Sequence, residues 1–252
     1  MPDVDGNQPL GTPTWIDLAV PDLQPALDFY GAVFGWEFRI GPEEYGSYTT
    51  CLLRGRPVAA VFVDAERTPA WDVYLATPDC DDTTARAREA GAAVLEEPTD
   101  VMAQGRMAML RDPVGARVGL WQGRDHVGCQ VVNEPGALVR NDLVTPDPGP
   151  ARRFYAEVFG FTLDGNPDLP GFDFTFLRRP DGHEVGGVLG LPDAAGSAWG
   201  TALEVADADE TVRRALGAGG RSPGVEAFVY GRMATVVDPF GAEFSVIARP
   251  AS

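Results

Sequence analysis

The sequence of 252 residues contains no lysine, only two histidines and only three cysteines. Without lysine the chain cannot carry the phosphate-binding motif GxxxxGK[ST], and the motifs GxGxxG, GxSxG and HExxH are missing as well. Cys51, Cys80 and Cys129 form no CxxC pair, so we expect reduced thiols and neither a disulfide framework nor a cysteine metal site. Several common cofactor and nucleophile motifs are thereby excluded.

Positive charge and long apolar runs are also scarce. The formal net charge is −17 at pH 7, which leaves no basic surface for a phosphate backbone, so we expect no nucleic-acid partner. No stretch approaches the ~20 apolar residues of a membrane span, and the opening MPDVDGNQPLGTP lacks the apolar core of a secretion signal. We therefore expect a cytoplasmic protein without a membrane partner.

What the sequence does contain is a long internal repeat. Three motifs occur once in each half: FY at Phe29-Tyr30 and Phe154-Tyr155, GRM at Gly105-Arg106-Met107 and Gly231-Arg232-Met233, and DPxGA beginning at Asp112 and Asp238. Repeats of this length indicate duplicated structural units. We predict a first domain at residues 9–123, a linker at 124–137 and a second domain at 138–250.

Each half contains two smaller units of the same design. In the first unit, the alternating WIDLAV at residues 15–20 predicts a strand, and the apolar stripe of residues 23–34 predicts a helix that ends at Gly35. Three more extended stretches follow before the scheme repeats. The pattern therefore predicts four βαβββ units.

The order of strand, Pro-Asp, helix ending in FYxxVFG, three strands, GRM and DPxGA resembles the vicinal oxygen chelate superfamily. That superfamily includes glyoxalase I, extradiol dioxygenases and the bleomycin and fosfomycin resistance proteins. The WxD opening and the NEPG linker resemble its duplicated 27-kDa-antigen-like branch, whose members are often labelled glyoxalase-like or hydroxylase. The resemblance implies an α+β fold in which the four βαβββ units form two concave mixed β-sheet clefts with helices packed outside.

Metal-using members of that superfamily hold a divalent ion with His from the first strand of a unit and Glu from its last strand. The first-strand positions here hold Trp15, Asp72, Arg140 and Gly200, and the last-strand positions hold Ala60, Gly119, Gly187 and Ser245. Only Asp72 is a conventional ligand, so we expect no metal site and no cofactor. His126 in the linker and His183 in a hairpin are expected at the surface.

Residues two apart on a strand share a face, which predicts the side chains that line the clefts. We predict catalytic roles for Asp17, Asp72, Asp142 and Arg140, and substrate-binding roles for Trp15, Tyr74, Trp121, Glu204, Glu243 and Ser245. Each has a structural alternative, since tryptophans fill cores and carboxylates accept backbone N–H bonds. Asp112 and Asp238 are expected to form turns, and Arg106 and Arg232 to form ion pairs.

These residues favour a metal-independent enzyme that acts on an aromatic or polyketide-like natural product, for example in a hydroxylation, cyclisation or lyase step. The alternative is a protein that sequesters such a compound without changing it, and a weaker alternative is a metal-dependent glyoxalase or dioxygenase. A small molecule is the expected partner in each case. The sequence leaves open whether units pair within a half or across the duplication, which cleft is active, and whether the chain is a monomer or a homodimer.

Overall fold

The structure, a computed structural model, describes residues 3–165 and 171–250. The elements of the first half are β1 Pro13–Val20, α1 Leu23–Phe34, β2 Glu37–Arg39, a 3-10 turn Glu43–Tyr45, β3 Thr49–Leu53, β4 Arg56–Val63, β5 Trp71–Ala76, α2 Cys80–Glu89, β6 Ala93–Val101, β7 Gly105–Arg111 and β8 Arg117–Gly123. Those of the second half are β9 Leu138–Thr145, α3 Pro148–Phe159, β10 Thr162–Gly165, β11 Asp173–Arg178, β12 Glu184–Gly190, β13 Ala198–Glu204, α4 Ala208–Gly217, β14 Glu226–Phe228, β15 Gly231–Val237 and β16 Glu243–Ala248.

Each half builds one eight-stranded mixed sheet. The strand orders are β2-β3-β4-β1-β5-β8-β7-β6 and β10-β11-β12-β9-β13-β16-β15-β14. At the centre of the first sheet, β1 runs parallel to β4 and antiparallel to β5, so that Asp17 pairs with both Ala60 and Asp72. The predicted α+β fold of four βαβββ units is confirmed, and the units pair within each half. The domain limits at 9–123 and 138–250 stay a prediction.

The helices begin and end where the sequence supplies caps. α1 and α3 end at Gly35 and Gly160, whose φ angles of 70° and 68° lie in the left-handed region that glycine adopts most easily. α2 and α4 begin after Asp79 and Asp207, whose carboxylates accept the backbone N–H three residues later at 3.0 Å in both cases. The duplication has therefore kept the same cap chemistry in both halves.

The two halves are joined through their helices. α1 packs against α4, and α2 packs against α3. Two reciprocal hydrogen bonds cross this junction: Tyr30 Oη donates to Asp238 Oδ2 at 2.9 Å, and Tyr155 Oη donates to Asp112 Oδ2 at 2.9 Å. The FY motif of each half thus meets the DPxGA motif of the other, and one apolar core extends through both halves.

The other repeated polar residues take the structural roles expected of them. Asp112 and Asp238 also close their own turns, since each Oδ1 accepts the N–H four residues later at 2.8 Å. Arg106 pairs with Asp81, and Arg232 pairs with Asp209. Both arginines therefore bind carboxylates near the N-termini of the helices that follow β5 and β13.

The thiols of Cys51, Cys80 and Cys129 are buried and not joined to one another, and burial raises the pKa of each. Among the helices of residues 3–165 and 171–250, none has the length and apolarity needed to span a bilayer.

Candidate functional site

The face of the first sheet that carries no helix, which we call the first-half cleft, holds a hydrogen-bonded network around Asp17. Asp17 Oδ2 accepts from Tyr48 Oη at 3.0 Å and from Tyr74 Oη at 3.1 Å. Tyr48 Oη in turn accepts from Trp15 Nε1 at 2.8 Å. Burial and the nearby negative charge of Asp72 raise the pKa of Asp17 to about 7. The strand periodicity placed Trp15, Asp17 and Tyr74 on one face, whereas Tyr48 comes from the segment before β3.

Asp72, the register partner of Asp17, is held in ion pairs. Arg67 donates to its carboxylate at 2.7 Å, and Arg117 donates to both carboxylate oxygens at 3.1 Å. Asp72 is 4% exposed, so these two guanidinium groups take the place of water around its carboxylate. The negative charge of Asp72 acts on Asp17 by raising its pKa. The catalytic role predicted for Asp72 did not include this effect.

His126 corrects one sequence-based expectation. Instead of lying at the surface, its ring meets Trp15 edge to face at a centroid distance of 4.3 Å and Trp121 at 5.4 Å. Burial lowers the pKa of His126 to about 4, so the imidazole is neutral at pH 7. Its backbone oxygen accepts from Trp121 Nε1 at 2.8 Å. The linker therefore folds back over the first-half cleft, which linker composition does not reveal.

The first-half cleft is closed by its own side chains. Trp15, Asp17, Asp72, Tyr74 and Trp121 are all buried. Gly119 on β8 has no side chain because the Tyr74 ring lies directly on it: a Cβ there would come within 2.1 Å of Tyr74 Cδ1. In this closed state, Trp15 and Trp121 both contact the His126 ring, and the Tyr74 ring covers Gly119.

The corresponding face of the second sheet, the second-half cleft, is open. Gly200 on β13 pairs with Asp142 in the middle of the sheet and is nevertheless exposed. Ser245 on β16 is partly exposed, and Glu243 on the same strand is exposed. An exposed glycine on a central strand means that the floor of this cleft is accessible to a ligand.

Arg140 organises the floor of the second-half cleft. Its Nε donates to Asp142 Oδ2 at 2.6 Å, and another of its nitrogens donates to Glu184 Oε1 at 2.7 Å. Its guanidinium carbon lies 5.5 Å from the Phe174 ring centroid and 5.9 Å from that of Phe176. Burial raises the pKa of Asp142, although the charge of Arg140 opposes this rise.

Phe174 and Phe176 are site residues that sequence reasoning missed. They belong to the run FDFTF at residues 172–176, whose alternating phenylalanines place three rings on one side of β11. That alternation was the available signal. Gly187, which pairs with Phe176, leaves room for the Phe174 ring, because a Cβ there would come within 2.1 Å of Phe174 Cζ.

Exposed aromatic pairs stand at both ends of this cleft. Phe172 stacks on Phe174 at 5.9 Å, and Phe228 stacks on Tyr230 at 5.4 Å with an interplanar angle of 5°. Phe172, Phe228 and Tyr230 are each about half exposed. Apolar rings at a rim suit a flat hydrophobic ligand.

Glu204 lies away from this cluster. Its Oε2 accepts from Arg249 at 2.5 Å, and the same arginine donates to the backbone oxygen of Asn133. Glu204 is therefore tied to the linker. A cavity of about 160 Å³ adjoins the Arg140 cluster on the linker side, with Thr14, Asn133 and the exposed His183 in its wall.

The metal that the family resemblance implies does not fit these positions. Asp72 is already held by two guanidinium groups, and the ring of Tyr74 covers the Gly119 position. In the second half a guanidinium, that of Arg140, stands at a first-strand ligand position and repels a cation. Across residues 3–165 and 171–250, no three His, Cys, Asp or Glu side chains come together as a metal-binding group.

Comparison with known families and relatives agrees with this architecture. The profile of the Glyoxalase/Bleomycin resistance protein/Dioxygenase superfamily matches residues 12–120, and that of the Glyoxalase-like domain matches residues 139–247. The chain is 36% identical over 247 residues to a protein named as a glyoxylase, CFP32 of Mycobacterium bovis, with 94% of each chain covered. It is 35% identical over 256 residues to the "Anthracycline biosynthesis protein DnrV" of Streptomyces peucetius, covering 94% of this chain and 93% of the relative.

Solved structures share the fold at low identity. The 2,3-dioxygenase LapB from Pseudomonas sp. KL28 superposes with a TM-score of 0.66 at 17% identity, covering 97% of this chain and 96% of that one. The Mn(II)-bound glyoxalase from Novosphingobium aromaticivorans gives a TM-score of 0.67 at 19% identity, covering 94% and 82%. At this identity the likeness concerns the fold alone.

Proposed function

The chain belongs to the glyoxalase/bleomycin resistance protein/dioxygenase superfamily, and from that premise we propose that it binds a planar, oxygenated aromatic compound in the second-half cleft and acts on it without a bound metal. The observation that carries this proposal is the position of Arg140. Its fixed positive charge lies on the floor of an open cleft, where metal-using members have a ligand. A guanidinium polarises or binds a carbonyl or phenolate oxygen without needing a metal.

The surrounding residues suit such a ligand. The rings of Phe174 and Phe176 supply flat apolar walls beside Arg140. Ser245 supplies a hydroxyl from β16, on the other side of β13 from Arg140. Asp142, whose pKa is raised by burial, is the group that exchanges a proton with the ligand. A cyclisation or lyase step that starts at a carbon beside a carbonyl uses that combination of a base and a charged oxygen binder. A hydroxylation at that carbon needs molecular oxygen as co-substrate in addition, as the oxidant and the source of the new oxygen atom.

The relatives support the choice of ligand class. Two Streptomyces relatives, each 35% identical over 256 residues, are named anthracycline biosynthesis proteins. This naming supports a compound of the aromatic polyketide type for the chain described here. Metal independence is supported by the donor set, since the first-strand positions of the second half are Arg140 and Gly200.

One observation favours the second candidate function, sequestration without turnover. Asp142 is already paired with Arg140 at 2.6 Å, and this ion pair opposes the rise in pKa that burial causes and so reduces the basicity of the carboxylate. A binder needs only the aromatic walls and the charge of Arg140. The two candidate functions differ in one observable, because a sequestering protein returns its ligand unchanged.

A dihydroxyanthraquinone is a suitable probe for both functions. We expect saturable binding to the chain purified in the presence of a chelator, and a 10–100-fold weaker affinity for Arg140→Met because a charge-assisted contact is lost. Arg232→Met is the matched control: it removes the same charge from an exposed arginine of the same half that pairs with Asp209, and affinity should be unchanged.

Mass analysis of the probe after incubation separates the two functions. A changed mass supports catalysis, and an unchanged mass supports sequestration. Equal affinities of wild type and Arg140→Met would exclude the second-half cleft as the site. A requirement for a stoichiometric divalent ion would overturn metal independence.

A further inference from the structure

We propose that the first-half cleft is a second small-molecule site, selective for a phenol or a similar hydroxylated aromatic ring, and that Tyr48 occupies it as an internal stand-in for that ligand. This site lies in the other half of the chain from Arg140. It does not rest on the function proposed for the second-half cleft.

Tyr48 makes the contacts that a bound phenol would make. Its hydroxyl accepts from Trp15 Nε1 at 2.8 Å and donates to Asp17 Oδ2 at 3.0 Å. Its ring stacks on Phe62 at a centroid distance of 5.7 Å and an angle of 24°. One donor, one acceptor and one stacking surface together specify a hydroxylated ring.

The cleft also has a hydrogen-bonding position that Tyr48 does not use. Asp17 is 4% exposed, and its Oδ1 is buried with no partner among the described residues. A buried carboxylate oxygen without a partner is costly, and such groups usually meet a donor. A ligand with a second, adjacent hydroxyl, as in a catechol, supplies that donor.

Among the side chains that close this cleft, Tyr48 is the one able to move out of it. It is 36% exposed, whereas Tyr74, the other phenol on Asp17, is 6% exposed and belongs to the central strand β5. Tyr48 follows Gly46 and Ser47, both with left-handed backbone at φ 64° and φ 51°. Such a conformation is unfavourable for serine, so moving this segment relieves backbone strain while it removes the hydroxyl from Asp17.

The test uses p-cresol, which is the tyrosine side chain itself, titrated by calorimetry into Tyr48→Gly. We expect Tyr48→Gly to bind one molecule per chain more than the wild type does, and this added site should bind p-cresol at least tenfold more tightly than toluene, which has a similar shape but no hydroxyl. Replacing Asp17 by Leu in the same variant should weaken p-cresol at least tenfold, with thermal melting used to show that each chain is folded. Tyr45→Gly is the matched control, since Tyr45 is an exposed tyrosine of the same segment, and it should bind p-cresol no better than wild type.

A further experiment uses the wild-type chain. Catechol should bind it saturably, at least tenfold more weakly than it binds Tyr48→Gly, and should shift the NMR signal of the Trp15 indole N–H as Tyr48 is displaced. The proposal is wrong if folded Tyr48→Gly binds toluene as well as p-cresol, or if catechol leaves the Trp15 signal of wild type unchanged. Adding Arg140→Met to Tyr48→Gly should leave p-cresol affinity unchanged, so failure here is distinct from failure of the second-half site.

Discussion

The two halves share strand order, helix caps and the reciprocal tyrosine contacts, yet their clefts are in opposite states. Asp17 pairs with Ala60, and Ala60 pairs with Thr50; in the second half Asp142 pairs with Gly187, and Gly187 pairs with Phe176. Two residues before Thr50 and Phe176 stand Tyr48 and Phe174, which therefore occupy equivalent positions.

One hydroxyl is part of the difference. Tyr48 reaches Asp17 with its hydroxyl and closes the first cleft. Phe174 has no hydroxyl and lies beside the guanidinium of Arg140. At another equivalent pair of positions the first half has the ion-paired Asp72 and the second half has the bare Gly200. Duplication followed by changes at a few cleft positions thus gave one closed and one open cleft on the same scaffold.

The largest expected difference between the halves concerns pH. The pKa of Asp17 rises from its ordinary 3.8 to about 7 in the folded chain, so the protonated form is favoured by folding. Stability from this group is complete below about pH 4 and is lost as pH rises to about 7, by on the order of 4 kcal/mol. Asp17→Asn should remove this slope in urea unfolding measured across that range.

Asp142→Asn is the comparison for that experiment. Burial also raises the pKa of Asp142 in the wild type, but Arg140 favours the charged form of this carboxylate. Asp142 should therefore contribute less than Asp17 to the change of stability with pH. If the two substitutions changed the pH dependence of the free energy of unfolding by the same amount, closure of the first cleft would not govern the titration of Asp17.

The second comparison introduces a methyl group under each aromatic ring. Gly119→Ala should cost about 3 kcal/mol, because Tyr74 is buried and held by its bond to Asp17. Gly187→Ala should cost about 1 kcal/mol, because Phe174 is partly exposed and free to swing outward. Chemical denaturation measures both, and similar costs would contradict the assignment of one closed and one open cleft.

The third comparison tests the junction between the halves. Tyr155→Phe leaves both Asp112 Oδ2 and Trp199 Nε1 without a partner, since Trp199 donates to Tyr155 Oη at 2.7 Å. Tyr30→Phe leaves only Asp238 without one. We expect losses in the free energy of unfolding of about 2 kcal/mol and about 1 kcal/mol, respectively. The reverse order in thermal unfolding would show that the Trp199 bond contributes nothing.

The smallest effect should be the same in both halves. Asp79→Ala and Asp207→Ala each remove a helix N-cap with the same 3.0 Å hydrogen bond. Each should cost about 1 kcal/mol in the free energy of unfolding. A clear difference between them would mean that the halves diverge in their scaffold as well as in their clefts.

Much of the fold was predictable, because repeats and periodicity are local properties of the chain. The alternation of β9 put Arg140 and Asp142 on one face, and the structure joins them at 2.6 Å. The phenylalanines of residues 172–176 carried the same kind of signal but were not used. Their alternation would have found the aromatic wall of the second-half cleft.

The rest of the site depends on segments whose positions are set by contacts distant in sequence. Tyr48, Arg67 and His126 belong to connections, and no strand or helix period fixes where a connection lies. His126 was placed wrongly for that reason. Its composition suggested a solvated linker, while the indoles of Trp15 and Trp121 gave it an apolar site.

By itself the sequence determined the four βαβββ units, their helix caps and the strand faces, because side-chain alternation and backbone capping act over a few residues. Only the tertiary structure decided that the units pair within each half and that the first cleft is closed while the second is open. Those outcomes depend on hydrogen bonds and ring contacts between groups far apart along the chain, such as Tyr48 with Asp17 and His126 with Trp15, and on the space that glycines leave for rings.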